Sequence, residues 1–177
     1  QMGLDPFHWI KDSTDLEAVE VVSELVCSLL LETGESEIPK SIRSLVETRL
    51  RTFIGVSAEP SFDAFITECR KQKLPRVELL DRFGKAGLYC SLFSGNRSKE
   101  WLAARYLYFN FGNIVSAKSV DFSRAVMSAV IAFTNLKMLN LSKQGGRLVL
   151  ICDETKFFLE KEARFFLLTT ANFRKFG

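Results

Sequence analysis

Residues Asp121–Leu141, DFSRAVMSAVIAFTNLKMLNL, are apolar around most of the circumference of a helix rather than along a single stripe. A helix of that kind is buried in a protein core or in lipid. A membrane span needs roughly 20 consecutive apolar residues. Polar residues break this run before that length: Arg124, Asn135, Lys137 and Asn140. The stretch therefore predicts the buried central helix of a mainly α-helical domain, and we expect no membrane partner.

The size and composition of the chain favour a single compact multi-helix domain around that helix. A chain of 177 residues is long enough to bury roughly 70% of the surface that it exposes when unfolded. Hydrophobic residues make up 47% of it and charged residues 25%, as in ordinary globular domains. The net charge of +3 is mild, so charge alone indicates no particular partner.

The chain divides into an irregular lead-in, residues 1–14, and one helical domain, residues 15–177. Asp5-Pro6 indicates a turn in the lead-in. We expect three apolar side chains to anchor the lead-in to the body: Phe7, Trp9 and Ile10. Because the chain starts at Gln1 and ends with little taper, we interpret it as a domain excised from a longer protein.

Five helices are predicted before the central one. Apolar spacing of three and four residues, with Gly and Pro between the periodic segments, indicates them. Asp12, Ser13 or Thr14 can cap the first, and Glu17, three residues after Thr14, completes a capping box. The five predicted helices cover about 15–32, 39–55, 61–73, 75–92 and 97–111.

The chain after the central helix allows two structures. Leu148–Cys152 is a short apolar run between Gly and Asp, which favours a buried strand. In 155–170, Glu160 and Arg164 are spaced to support a helix, but the same stretch also suits the arm of a β-hairpin. The expected fold is therefore mainly α, with a short strand or a hairpin near 147–168.

Conventional catalytic equipment is scarce in this sequence. His8 is the only histidine, and it lies in the lead-in, which argues against multi-histidine metal sites and Ser-His or Cys-His catalysis. The four cysteines lie far apart without a CxxC pair, as expected of core thiols in a reducing compartment. We therefore expect a non-catalytic intracellular protein, in cytoplasm or nucleus, without a metal or a cofactor.

One segment resembles part of an ATPase. Residues Leu148–Glu154, LVLICDE, resemble a Walker B strand, in which apolar residues end in Asp-Glu. In P-loop enzymes the acidic end of that strand serves Mg²⁺ and water. No phosphate-binding loop precedes it here, so the resemblance implies at most a fragment of a larger ATPase.

The candidate binding site lies on the predicted fifth helix. Basic and aromatic residues recur there on one face, at Arg97, Trp101, Arg105 and Tyr108. Leu102, Tyr106 and Phe109 lie off this face and are expected to point into the core. Arginine beside an exposed tryptophan is the composition of interface hot spots. The competing interpretation is that Trp101 belongs to the core.

Two partner classes remain open. The first is another protein, bound by a scaffold or adaptor domain through a helical face or groove. The second is a nucleic acid, bound by the basic residues Arg97, Lys99, Arg105, Lys118 and Arg124. A secondary basic patch lies at the end of the third helix and just after it, formed by Arg70, Lys71, Lys73 and Arg76. Partner identity and oligomeric state do not follow from the sequence.

Overall fold

Helices form the architecture of the chain. A computed structural model describes residues 3–10, 12–32, 34–95, 98–108, 120–146 and 149. Within these ranges the mainly α class is confirmed. The α-helices are α1 (Leu16–Leu29), α2 (Lys40–Val56), α3 (Phe62–Lys71), α4 (Val77–Leu80), α5 (Cys90–Phe93), α6 (Ser98–Ala103) and α7 (Val120–Lys143), and the 3-10 helices are η1 (Pro6–Trp9) and η2 (Asp81–Phe83).

The central helix of the fold is α7. It packs mainly against α1, and the side chains of Val126, Ala129 and Phe133 are completely buried. By length and composition α7 could cross a membrane, since an 18-residue window within it reaches a mean hydropathy of 1.3. In this fold 78% of that window is buried against the rest of the chain. The prediction of a buried central helix is confirmed.

Local signals set the starts of the first three helices. The Asp15 carboxylate caps α1 by accepting from the Ala18 amide at 3.4 Å, so the predicted Thr14–Glu17 capping box is wrong. Pro39 lies directly before α2, which agrees with the preference of proline for the start of a helix. The Ser61 hydroxyl caps α3 by accepting from the Ala64 amide at 3.3 Å. The predicted α2 and α3 are therefore confirmed to within a few residues.

The predicted fourth helix, 75–92, is interrupted and forms α4, η2 and α5 instead. The interruption is tight, because a Cβ added at Gly87 would lie 2.2 Å from the Asp81 carbonyl oxygen and 2.3 Å from Arg82 backbone atoms. Only glycine allows the chain to fold back this closely. Leu88, within the range of the predicted helix, is 83% exposed. The close approach of Gly87 to the backbone of Asp81 and Arg82, rather than helical periodicity, determines the structure of this region.

The lead-in is part of the core. Phe7 and Trp9 are buried, and residues 6–9 form η1 rather than irregular chain. The Asp5 carboxylate accepts from the Phe7 amide at 3.0 Å and from the Phe62 amide at 3.1 Å. Burial raises the pKa of this carboxyl group, against the lowering effect of the two amides. The predicted anchoring by Phe7 and Trp9 is confirmed.

The end of the chain carries predictions that stay untested. The strand or hairpin predicted for 147–168 lies outside the described residues, apart from Val149, which is exposed. The Walker B-like segment lies outside them as well. The ATPase resemblance and the choice between helix and hairpin in 155–170 therefore stay predictions.

Candidate interaction surface

Lys137 of the central helix α7 contacts the C-terminal end of α6. Its side chain is only 7% exposed, and its ammonium donates to the carbonyl oxygens of Trp101 at 3.2 Å and Leu102 at 3.0 Å, and also to that of Ala104. The last carbonyls of a helix lack partners within the helix and attract cations. Burial lowers the pKa of Lys137. A buried lysine thus caps α6 from another part of the fold.

The predicted stripe of basic and aromatic residues is therefore not a helix face. Since α6 ends at Ala103, Arg105 and Tyr108 lie beyond the helix. Trp101 is half-buried and packs edge-to-face on Phe133, with ring centroids 5.8 Å apart. The core interpretation of Trp101 is thus the better one. Arg97, the first member of the stripe, lies outside the described residues.

Residues 104–108, which we call the aromatic segment, form the candidate surface. Tyr106 is 82% exposed and Tyr108 is 88% exposed, so the prediction that Tyr106 faces the core is wrong. Leu107 between them is half-buried and packs against the core. The segment therefore presents two tyrosine rings to solvent while an apolar side chain holds it down.

Arg105 completes this surface. The Cζ atom of its guanidinium lies 5.5 Å from the centroid of the Tyr106 ring, within the range of a cation–π contact. No ion pair joins Arg105 to another residue of the described ranges. Its charge is exposed and available to a partner. Of the predicted site residues, the structure brings Arg105 and Tyr108 into one exposed segment and adds Tyr106 to them.

The predicted secondary basic patch is largely neutralised by acidic neighbours. Arg70 pairs with Asp81, and the Lys71 ammonium lies 3.6 Å from a Glu68 carboxylate oxygen. The third arginine, Arg76, is bound to acidic groups at the end of α1. Lys73 makes no ion pair with a described residue and adopts a left-handed backbone conformation, with φ of 53°. The patch therefore offers a nucleic acid far less free charge than its sequence suggests.

A cleft lies between α1, η2 and α7. Its volume is about 240 Å³. Arg82 and Arg124 both pair with Asp121 at its wall, and Glu32 lines it as well. Two cations and two anions line it, so the cleft selects neither sign of charge.

The groups that could carry chemistry do not converge within the described ranges. No group of three or more His, Cys, Asp or Glu side chains there is placed to hold a metal ion. Cys27 and Cys69 are buried, and burial raises the pKa of each thiol to about 12. Such thiols are unreactive core residues, as predicted. Cys90 is half-buried, and Cys152 lies outside the described residues.

Comparison of the chain with protein-family models, with curated proteins and with solved structures finds no match. The aromatic segment therefore has to be interpreted from its own residues and geometry.

The sequence prediction misses Tyr106, which lies on this surface, and Lys137, which contacts it from the core. A helical period continued past Ala103 predicts Tyr106 in the core, whereas its side chain is exposed. The apolar pattern predicts Lys137 only as an interruption of the run. A lysine surrounded by buried positions on a central helix does carry a signal, since a buried ammonium requires polar partners. The sequence does not show that those partners are the carbonyl groups of α6.

Proposed function

We propose that this chain is a non-catalytic protein-interaction domain, a scaffold or adaptor, and that the aromatic segment binds its partner protein. The observation that carries the proposal is the exposure of Arg105, Tyr106 and Tyr108 next to one another. Tyrosine and arginine are enriched among the residues that dominate binding energy at protein interfaces. A tyrosine ring supplies a large contact area and loses little conformational entropy on binding.

The chemistry of the segment favours an acidic partner. The guanidinium of Arg105 can form two parallel hydrogen bonds with one carboxylate. The rings of Tyr106 and Tyr108 offer apolar surface on the same segment, with hydroxyl groups at their ends. We therefore propose a partner segment that places an acidic residue on Arg105 and apolar side chains on the tyrosines.

The attachment of the segment to the core supports this role. Lys137 holds the carbonyl of Ala104, and Leu107 packs against the core. A segment held at both places loses less conformational freedom on binding than a free chain does. Such preorganisation raises affinity without adding contacts.

Site-specific photo-crosslinking tests the proposal. A photoreactive phenylalanine analogue is placed at Tyr106 or at Tyr108, and captured proteins from the source cells are identified by mass spectrometry. Leu88, equally exposed but outside the segment, is the control position. Capture at the two tyrosine positions is expected to fall at least roughly tenfold with Arg105→Glu, because like charges then face each other, and to persist with Arg105→Lys.

The outcomes separate the two partner classes. A protein that is captured from Tyr106 and Tyr108 but not from Leu88, and lost with Arg105→Glu, supports the proposal. Equal capture from Leu88 would contradict it. A nuclease-sensitive product whose yield falls steeply with salt would favour a nucleic acid instead.

A further inference from the structure

The three carbonyl groups that Lys137 binds are acceptors that a longer α6 would need. In an α-helix the amide of residue i donates to the carbonyl of residue i−4. A continued helix would therefore pair Arg105 with Trp101, Tyr106 with Leu102, and Tyr108 with Ala104. Lys137 donates to the carbonyl oxygens of Trp101, Leu102 and Ala104. Its ammonium thus occupies the place where the next helical turn would bind.

Within the described residues, the surroundings of Lys137 offer its ammonium no acidic partner in place of these carbonyls. No ion pair joins it to an acidic residue of the described ranges, and Met138 and Leu136 beside it on α7 are buried. A buried ammonium without hydrogen-bonding partners is strongly unfavourable. If α6 moved away, the buried ammonium of Lys137 would lose its hydrogen-bonding partners. This penalty stabilises the contact.

We propose that Lys137 is a positioning residue that stops α6 at Ala103 and thereby keeps the aromatic segment non-helical and exposed. The sequence alone favours helix through this region, since the helical pattern of 97–111 runs past the observed end. Lys137, which lies on the central helix, overrides this local preference for helix by capping α6. The binding role of the exposed segment rests on the proposed function. The capping of α6 by Lys137 does not depend on it.

Lys137→Met is the first variant to test, because methionine keeps the length of the side chain and removes the charge and the donors. Helix is expected to extend into residues 105–108. Amide hydrogen exchange of Arg105, Tyr106 and Tyr108 should slow by roughly tenfold, the scale of one added hydrogen bond. Lys143→Met is the matched control on the same helix, since Lys143 is exposed and pairs with Glu17 at 2.6 Å.

Two further variants keep the test decisive. Lys137→Arg retains a cation and should retain the wild-type exchange pattern. Lys137→Gln keeps a neutral donor, should slow exchange by less than Lys137→Met, and replaces that variant if it does not fold. Unchanged or faster exchange at residues 105–108 in both neutral variants, or the same slowing in Lys143→Met, would overturn the proposal.

The same variants separate this inference from the proposed function. Slower exchange with loss of photo-capture from Tyr106 supports both. Slower exchange with undiminished capture supports the cap and contradicts the role of the non-helical segment in binding. Unchanged exchange overturns the cap, whatever happens to capture.

Discussion

At the scale of single residues, Ser128 places a polar side chain in the core of the fold. Its side chain is completely buried in α7, and its hydroxyl has no hydrogen-bonding partner in the described part of the chain. Leaving a buried donor unpaired costs about 1–3 kcal/mol. Serine is also a weaker helix former than alanine. Both effects act against the stability of the central helix.

We therefore expect Ser128→Ala to raise the free energy of unfolding by about 1 kcal/mol. Urea denaturation followed by far-UV circular dichroism measures it. Ser28→Ala is the control, because the Ser28 hydroxyl is buried in α1 and donates to the Leu25 carbonyl at 2.8 Å. That substitution removes a bond and should gain less or destabilise. Equal effects at the two positions would contradict the interpretation of Ser128.

At the scale of elements, charged groups fasten the end of α1 to the chain before α4. The Arg76 guanidinium donates to the two carboxylate oxygens of Glu35 at 2.6 and 2.9 Å, and its Nε lies 3.3 Å from Glu32. It also donates to the Leu30 carbonyl at 3.4 Å, at the C-cap of α1. The hydrogen bonds from Arg76 lower the pKa of Glu35 below its usual 4.5.

This shift predicts how stability depends on pH. Because the pKa of Glu35 is lower in the folded state than in the unfolded chain, its contribution is present above pH 4.5 and is lost as pH falls through the folded pKa. Glu35→Gln should be less stable than wild type at pH 7, and the two should converge in strong acid. Denaturant unfolding between pH 7 and pH 2 measures the difference. Glu20→Gln, which breaks no ion pair among the described residues, should show no such convergence.

The elements that sequence reasoning predicted well are those whose signals are local. Pro39 and Ser61 mark the starts of α2 and α3, and the apolar circumference of 121–141 marks α7. The predictions for 75–92 and 97–111 were wrong because contacts that the helical pattern does not encode decide them. Backbone packs against Gly87 in the first case, and Lys137, more than 30 residues along the chain, ends the helix in the second. A periodic pattern in 97–111 contains no information about that lysine.

At the scale of the whole molecule, the lead-in is inseparable from the core. The Phe7 ring lies 5.5 Å from that of Phe53 in α2 and 5.3 Å from that of Phe65 in α3, between centroids. Trp9 packs on Phe133 of α7, with centroids 5.6 Å apart. The predicted boundary at residue 14 marks where helical periodicity begins. The residues on its two sides belong to one core.

We therefore expect the lead-in and the helices to unfold in one cooperative step. The chain has two tryptophans, so Trp101→Phe leaves Trp9 as the only strong fluorophore, and Trp9→Phe leaves Trp101 as a reporter of α6. In urea, the fluorescence midpoint of Trp9 should coincide with the midpoint of helical circular dichroism in the same variant, with equal m-values, as two-state unfolding requires. A change in Trp9 fluorescence at lower urea, with helix content intact, would show that the lead-in detaches first. The buried Phe7 and Trp9 argue against that result, because detachment would expose both rings and leave a cavity between α2, α3 and α7, which costs several kcal/mol.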